Sequence, residues 1–132
     1  MSHLTLEWQG GLAFKNAADS PAIELHSSTT GITSPTQALA YATMACMGMD
    51  VVHVIQKGRH ELTAMSVTFE GQRADHEPRR YLAMSLHFTL TGRVDSHVVE
   101  RAIELSRTKY CSVWHSLRED ISLKTSYRIQ EP

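Results

Sequence analysis

Ser34-Pro35-Thr36-Gln37-Ala38-Leu39-Ala40-Tyr41-Ala42-Thr43-Met44-Ala45-Cys46-Met47-Gly48-Met49-Asp50-Val51-Val52-His53-Val54-Ile55-Gln56-Lys57 forms one nearly continuous apolar stretch behind a polar start. Ser34 is placed to cap a helix. Pro35 takes the first helical position, where a missing N–H costs nothing, and Gln37 stands where a capping box needs an amide side chain. The helix should run from about Pro35 to Lys57, with Gly58 as its stop. Ala38 to Ala42, Met44 to Met47, Met49, Val51, Val52, Val54 and Ile55 make it apolar on nearly every side, and such a helix is expected to be buried on every side. A membrane span is the rival reading. Thr43, Asp50 and His53 interrupt the run and no second such stretch exists, so no membrane is expected. One domain of 132 residues can hardly cover such a helix alone, which points to a homodimer sharing its core.

Working outward, Leu4 to Trp8 and Ala22 to His26 alternate apolar and polar residues around a Gly10-Gly11 turn, and read as short strands. Ser27 to Thr33 is a polar loop. Beyond the helix, Met65, Val67 and Phe69 alternate with polar neighbours. So do Leu82, Met84, Leu86, Phe88 and Leu90, and an antiparallel pairing of the two stretches is natural. Residues 72–80, with Pro78, form the connecting loop. Asp95 or Ser96 caps a second helix with Val98, Val99, Ala102, Ile103 and Leu105 inward. A third helix is expected from Ser112 to Asp120, and Ile121 to Ile129 alternates into a last strand. The order is that of an α+β protein, read as a single domain over residues 1–132.

Composition narrows the function. A net charge of −1 with scattered basic residues argues against nucleic acid as a partner. No apolar run follows a basic start at Met1 to Gly11, so no secretory leader is expected there. Two cysteines do not make a disulfide scaffold. Together these give an expectation of a cytoplasmic protein whose cysteines are reduced at rest. No phosphate loop, dinucleotide fingerprint or nucleophile elbow occurs, and His60-Glu61 lacks the second histidine of a zinc-protease helix. No cofactor and no metal are expected.

The cysteines are the candidate chemistry. Cys46 lies within the long helix, where burial makes a thiol inert and the Asp50 carboxylate one turn on opposes ionisation. A small core residue is the competing reading. Cys111 immediately precedes the expected third helix, whose free N–H groups favour a thiolate, with Lys109 and His115 near in sequence. On local grounds Cys111 should therefore be the more acidic of the two, unless it merely fills a tight turn. Asp50 and His53, three residues apart, could bind each other. Tyr41, Met44, Met47 and Met49 could line an apolar cleft or simply pack.

Ser34-Pro35-Thr36-Gln37-Ala38-Leu39, then Ala45-Cys46 and Met49-Asp50-Val51-Val52, resemble the cysteine-helix signature of the OsmC/Ohr superfamily. Val99 to Ser106, followed by Lys109-Tyr110-Cys111-Ser112-Val113, resembles its second-cysteine segment. The likeness extends over roughly residues 4 to 130. It implies an OsmC-like fold, with antiparallel curved sheets wrapped around a central cysteine helix in an intertwined homodimer. It also implies thiol-dependent reduction of small organic hydroperoxides. Cys46 would be the nucleophile that becomes a sulfenic acid, Cys111 would condense with it to a disulfide, and an external dithiol, lipoyl-linked in such proteins, would restore both. Thr36, Gln37, Met49 and Asp50 are the expected substrate contacts.

The resemblance also implies an arginine on the N-terminal strands and a glutamate that holds it. Here the matching segment Trp8-Gln9-Gly10-Gly11-Leu12-Ala13-Phe14 has no arginine, and the glutamate position is Thr36, beside Gln37. Arg59, Arg79, Arg80 and Arg107 are candidate replacements. Three functions follow: a thiol peroxidase, a non-enzymatic redox sensor or carrier of a small apolar molecule, and a protein whose cysteines serve folding alone.

Overall fold

A computed structural model describes residues 4–17, 22–27 and 31–132; positions 28–30 of the expected polar loop lie outside them. The strands are β1 (Leu6–Trp8), β2 (Ala13–Asn16), β3 (Glu24–His26), β4 (Glu61–Arg73), β5 (Tyr81–Arg93) and β6 (Ser122–Gln130). The helices are α1 (Pro35–Lys57), α2 (Ser96–Leu105) and α3 (Ser112–His115), with a π turn over Ser106–Tyr110 ahead of Cys111. The class is α+β, with two sheets and a central helix, as expected. Two compact units divide the chain, Met1–Tyr41 and Ala42–Pro132.

In the first unit, β1, β2 and β3 form an antiparallel sheet in that order, turning at Gly10 and Gly11 with φ of 97° and 53°. Strand β2 was not expected, because Ala13-Phe14-Lys15-Asn16 is too short to show a period. The capping box of α1 forms as read: the Gln37 N–H donates to Ser34 Oγ at 3.3 Å, and the Ser34 N–H donates to Gln37 Oε1 at 3.0 Å.

In the second unit β5 lies between β4 and β6. The β4–β5 pair is antiparallel, as expected, whereas β6 runs parallel to β5. Alternation tells which side chains share a face and nothing about strand direction. Here α2 and α3 provide the crossover that a parallel neighbour requires. Helix α3 stops at His115, well short of Asp120. The core joins Met47, Val51 and Ile55, at four-residue spacing on α1, to Met84, Leu86, Phe88 and Leu90 of β5 and to Val99, Ala102 and Ile103 of α2.

Helix α1 is not buried all round within the chain. Its most apolar 18-residue window has a mean hydropathy of 1.5, enough in length and composition to cross a membrane, yet only 33% of that window is buried. Ala42, Ala45 and Met49 face outward, with Met49 70% exposed. The buried stripe and an equally apolar outer stripe share one helix, so apolar composition alone overstates what the chain itself covers.

The end of α1 also differs from the expected glycine stop. The Arg59 N–H bonds the Gln56 carbonyl at 2.9 Å and the His60 N–H bonds the Ile55 carbonyl at 3.3 Å, while Arg59, not Gly58, takes the left-handed conformation with φ of 62°. A non-glycine residue there costs about 1–2 kcal/mol, against about 0.4–1 kcal/mol that a glycine loses through the unfolded chain. Arg59→Gly is therefore expected to stabilise the fold by roughly 0.5–1 kcal/mol, measured by urea denaturation. A loss of stability would place the helix end elsewhere.

Candidate active site

The fold brings Cys46 and Cys111 together from α1 and from the turn before α3. Each offers a sulfur that lies, with a carboxylate oxygen of Asp50, in a cluster no more than 4.8 Å across. Both thiols are free; Cys46 is half-buried and Cys111 fully buried. The π turn shapes the approach. Its wider ring closes with the Cys111 N–H on the Ser106 carbonyl at 2.9 Å, and the Ser106 hydroxyl donates to Asp50 Oδ2 at 2.7 Å. Helix α1 is thus tied to the second cysteine segment directly beside the sulfurs.

The two thiols differ in acidity, in the opposite sense to that expected. For Cys46, burial opposes the thiolate, but three donors outweigh it: the Val113 backbone N–H, the Cys111 thiol and the Ser112 hydroxyl. The Ser112 oxygen is 3.9 Å from Cys46 Sγ. The Asp50 charge opposes the thiolate least of all, and the net pKa is lowered. For Cys111, burial dominates and pushes the thiol up to about 11, despite the Trp114 N–H that its sulfur accepts at 3.3 Å. The start of α3 supplies donors to both sulfurs, the Trp114 N–H to Cys111 and the Val113 N–H and Ser112 hydroxyl to Cys46, and only for Cys46 do they outweigh burial. A hydrogen bond to a charged acceptor contributes about 1.5–3 kcal/mol, so a few donors suffice to offset partial burial.

The other groups singled out from sequence go elsewhere. The His115 ring contacts the Cys111 carbonyl oxygen at 2.7 Å rather than the sulfur, and Lys109 lies over the Tyr110 ring at 5.3 Å. Asp50 takes Ser106 rather than His53 as its partner. Arg79 is 3.7 Å from Glu77 and Arg80 is 3.4 Å from Asp120, so neither charge serves the thiols. Met49 lies on the outer face of α1, one turn from Cys46. Thr36 and Gln37 belong to the first unit, where Gln37 is engaged in the helix cap. Ser106, Ser112 and Val113, which the sequence shows only as members of the second-cysteine segment, are here the partners of Asp50 and Cys46. Among the described residues, Cys46, Asp50 and Cys111 also form a group of ligand types that could hold a thiophilic ion.

The α+β frame around a cysteine-bearing helix, with a second thiol brought beside the first, is one that known proteins share. Residues 27–126 match the family model for OsmC-like protein. The chain is 32% identical over 127 residues to Protein YhfA of Escherichia coli K12, covering 94% of this chain and 95% of that one. A crystal structure of a hypothetical protein from Aquifex aeolicus superposes with a TM-score of 0.91 at 24% identity, covering 100% of this chain and 98% of that one. One of an organic hydroperoxide resistance protein from Legionella pneumophila gives 0.73 at 18% identity, covering 96% and 97%. The chain belongs to the OsmC-like protein family.

Two substitutions test the electrostatics. Ser112→Ala removes one donor and should slow iodoacetamide alkylation of Cys46 at neutral pH by roughly fivefold, the worth of one ordinary hydrogen bond. Asp50→Asn keeps an acceptor for Ser106 while removing the opposing charge, and should speed it. Unchanged rates in both variants would remove these groups from control of the thiolate.

Proposed function

We propose that the protein is a thiol-dependent peroxidase for organic hydroperoxides, with Cys46 as the attacking thiolate and Cys111 as the resolving thiol. The observation that carries this reading is the donor set around Cys46, which favours its thiolate beside a neighbouring thiol that stays protonated. The Cys46 sulfur attacks the peroxide. An S–O bond forms, the O–O bond breaks, and the alkoxide leaves and takes up a proton as the alcohol. Cys46 is oxidised to a sulfenic acid. The Cys111 sulfur then attacks Cys46. The S–S bond forms, the S–O bond breaks, and the hydroxyl leaves as water with the Cys111 proton. An external dithiol, lipoyl-linked in our reading, returns two electrons and two protons by thiol–disulfide exchange.

Family membership supports this chemistry, as does the name of the Legionella relative. The apolar surroundings of Cys46, with Met44, Val113 and Trp114 packed on the same core, favour an organic peroxide over hydrogen peroxide. Met49 and Asp50 are the substrate contacts in this reading. A homodimer would cover the outer stripe of α1, where Ala45 and Met49 are exposed. A cytoplasmic location would keep both thiols reduced at rest.

Stopped-flow consumption of cumene hydroperoxide, with dihydrolipoamide in excess, tests the proposal. Wild type should turn over repeatedly and Cys46→Ser should be inactive. A single oxidation without turnover would instead mark a sensor, and equal slow rates for both proteins would exclude the peroxidase.

A further inference from the structure

A groove of about 680 Å³ opens between α1 and α2, a volume typical of small-molecule sites. Its polarity follows from the topology. Helix α1 ends shortly before Glu61 and α2 begins shortly after Arg93, and those two residues are partners in the β4–β5 ladder. The end of α1 and the start of α2 are therefore neighbours. At the opposite end, the Ser106–Asp50 hydrogen bond joins the residue following α2 to the thiol cluster. The groove thus runs from Lys57, His60 and His97, past His53 and Arg101, to Asp50 and Tyr110 at the thiol end. Val54, Val98 and Leu105 supply its apolar wall. Asp50 and Lys57 are two helical turns apart, about 10 Å along the axis.

The charge distribution is unusual for this chain, whose net charge is −1. Two full cations and three histidines line one groove, and none of the five side chains has a hydrogen-bond or ion-pair partner among the described residues. The groove's one carboxylate, Asp50, lies at the far end and already accepts from Ser106. Cations converging without counter-charges are suited to an oxyanion, which Arg binds through two parallel donors and Lys as a point charge.

We propose that this groove is a binding site for an amphipathic organic anion. Its carboxylate or phosphate head rests on Lys57 and Arg101, and its apolar body runs along Val54, Val98 and Leu105 toward the thiol pair. The site is defined by its binding chemistry and does not require turnover at Cys46. An occupant lies against Asp50, so the groove couples recognition of an anion to the surroundings of the reactive sulfur.

Calorimetric titration of full-length Cys46→Ser protein, which cannot react with peroxide, tests the site apart from the proposed activity. Octanoate and octyl phosphate supply the two possible heads, and octanol the same body without charge. Both anions, or one of them, should bind saturably and at least about tenfold more tightly than octanol. The preferred anion identifies the head. Lys57→Met with Arg101→Met should remove that preference while leaving octanol binding unchanged. Both residues are exposed, so circular dichroism should show the double variant folded. Octanol binding as tightly as the anions, anion binding that survives in the double variant, or no binding of any probe would overturn the proposal.

Discussion

The whole site depends on one attachment, the Ser106 hydroxyl bonded to the Asp50 carboxylate at 2.7 Å. This bond joins the segment after α2 to the middle of α1, and both cysteines lie next to the point of contact. The apolar core sets the distance between the two segments. Met47 and Val51 of α1 pack with Val99, Ala102 and Ile103 of α2 against β5, and the polar bond fixes the register between them. The π turn then carries the chain from Ser106 to Cys111, so the Val113 N–H and the Ser112 hydroxyl of the first turn of α3 reach Cys46. A half-buried, hydrogen-bonded carboxylate beside two thiols is an electrostatic cost, since it opposes both thiolates. Its structural role explains why the site carries it.

Neutral donors lower the pKa of Cys46: a peptide N–H, a hydroxyl and a thiol face its sulfur, where the family resemblance had implied a guanidinium. The arrangement is asymmetric because burial pushes Cys111 up while several donors bring Cys46 down; the Cys111 thiol donating to Cys46 adds to both shifts. A nucleophile and its resolving partner need just such a difference, since the second thiol must remain protonated until the first has been oxidised.

Much of this was legible in the sequence because it was local. Ser34, Pro35 and Gln37 specified the start of α1 by hydrogen bonds spanning three residues, and the alternation at Met84, Leu86, Phe88 and Leu90 specified a buried strand face. The class and the cysteine pair followed from such signals and from the family resemblance. The parallel direction of β6 was hidden because alternation is the same in either direction. The acidity of the two thiols is hidden for a related reason: sequence shows the helix start beside Cys111 but neither the burial of that thiol nor the donors that reach Cys46 across a tertiary contact. The helix end at Arg59 and the basic groove were invisible in the same way. Lys57 and Arg101 come to line one groove only when the β4–β5 register brings the two helices together.

The central claim is that Cys46, not Cys111, holds the stabilised thiolate. Titrating the Cβ resonances of both cysteines by NMR in the reduced protein, labelled with carbon-13 at cysteine, tests it most directly. Cys46 should ionise below the ordinary thiol value and Cys111 only as the pH nears about 11. Ionisation of Cys111 before Cys46 would contradict the account.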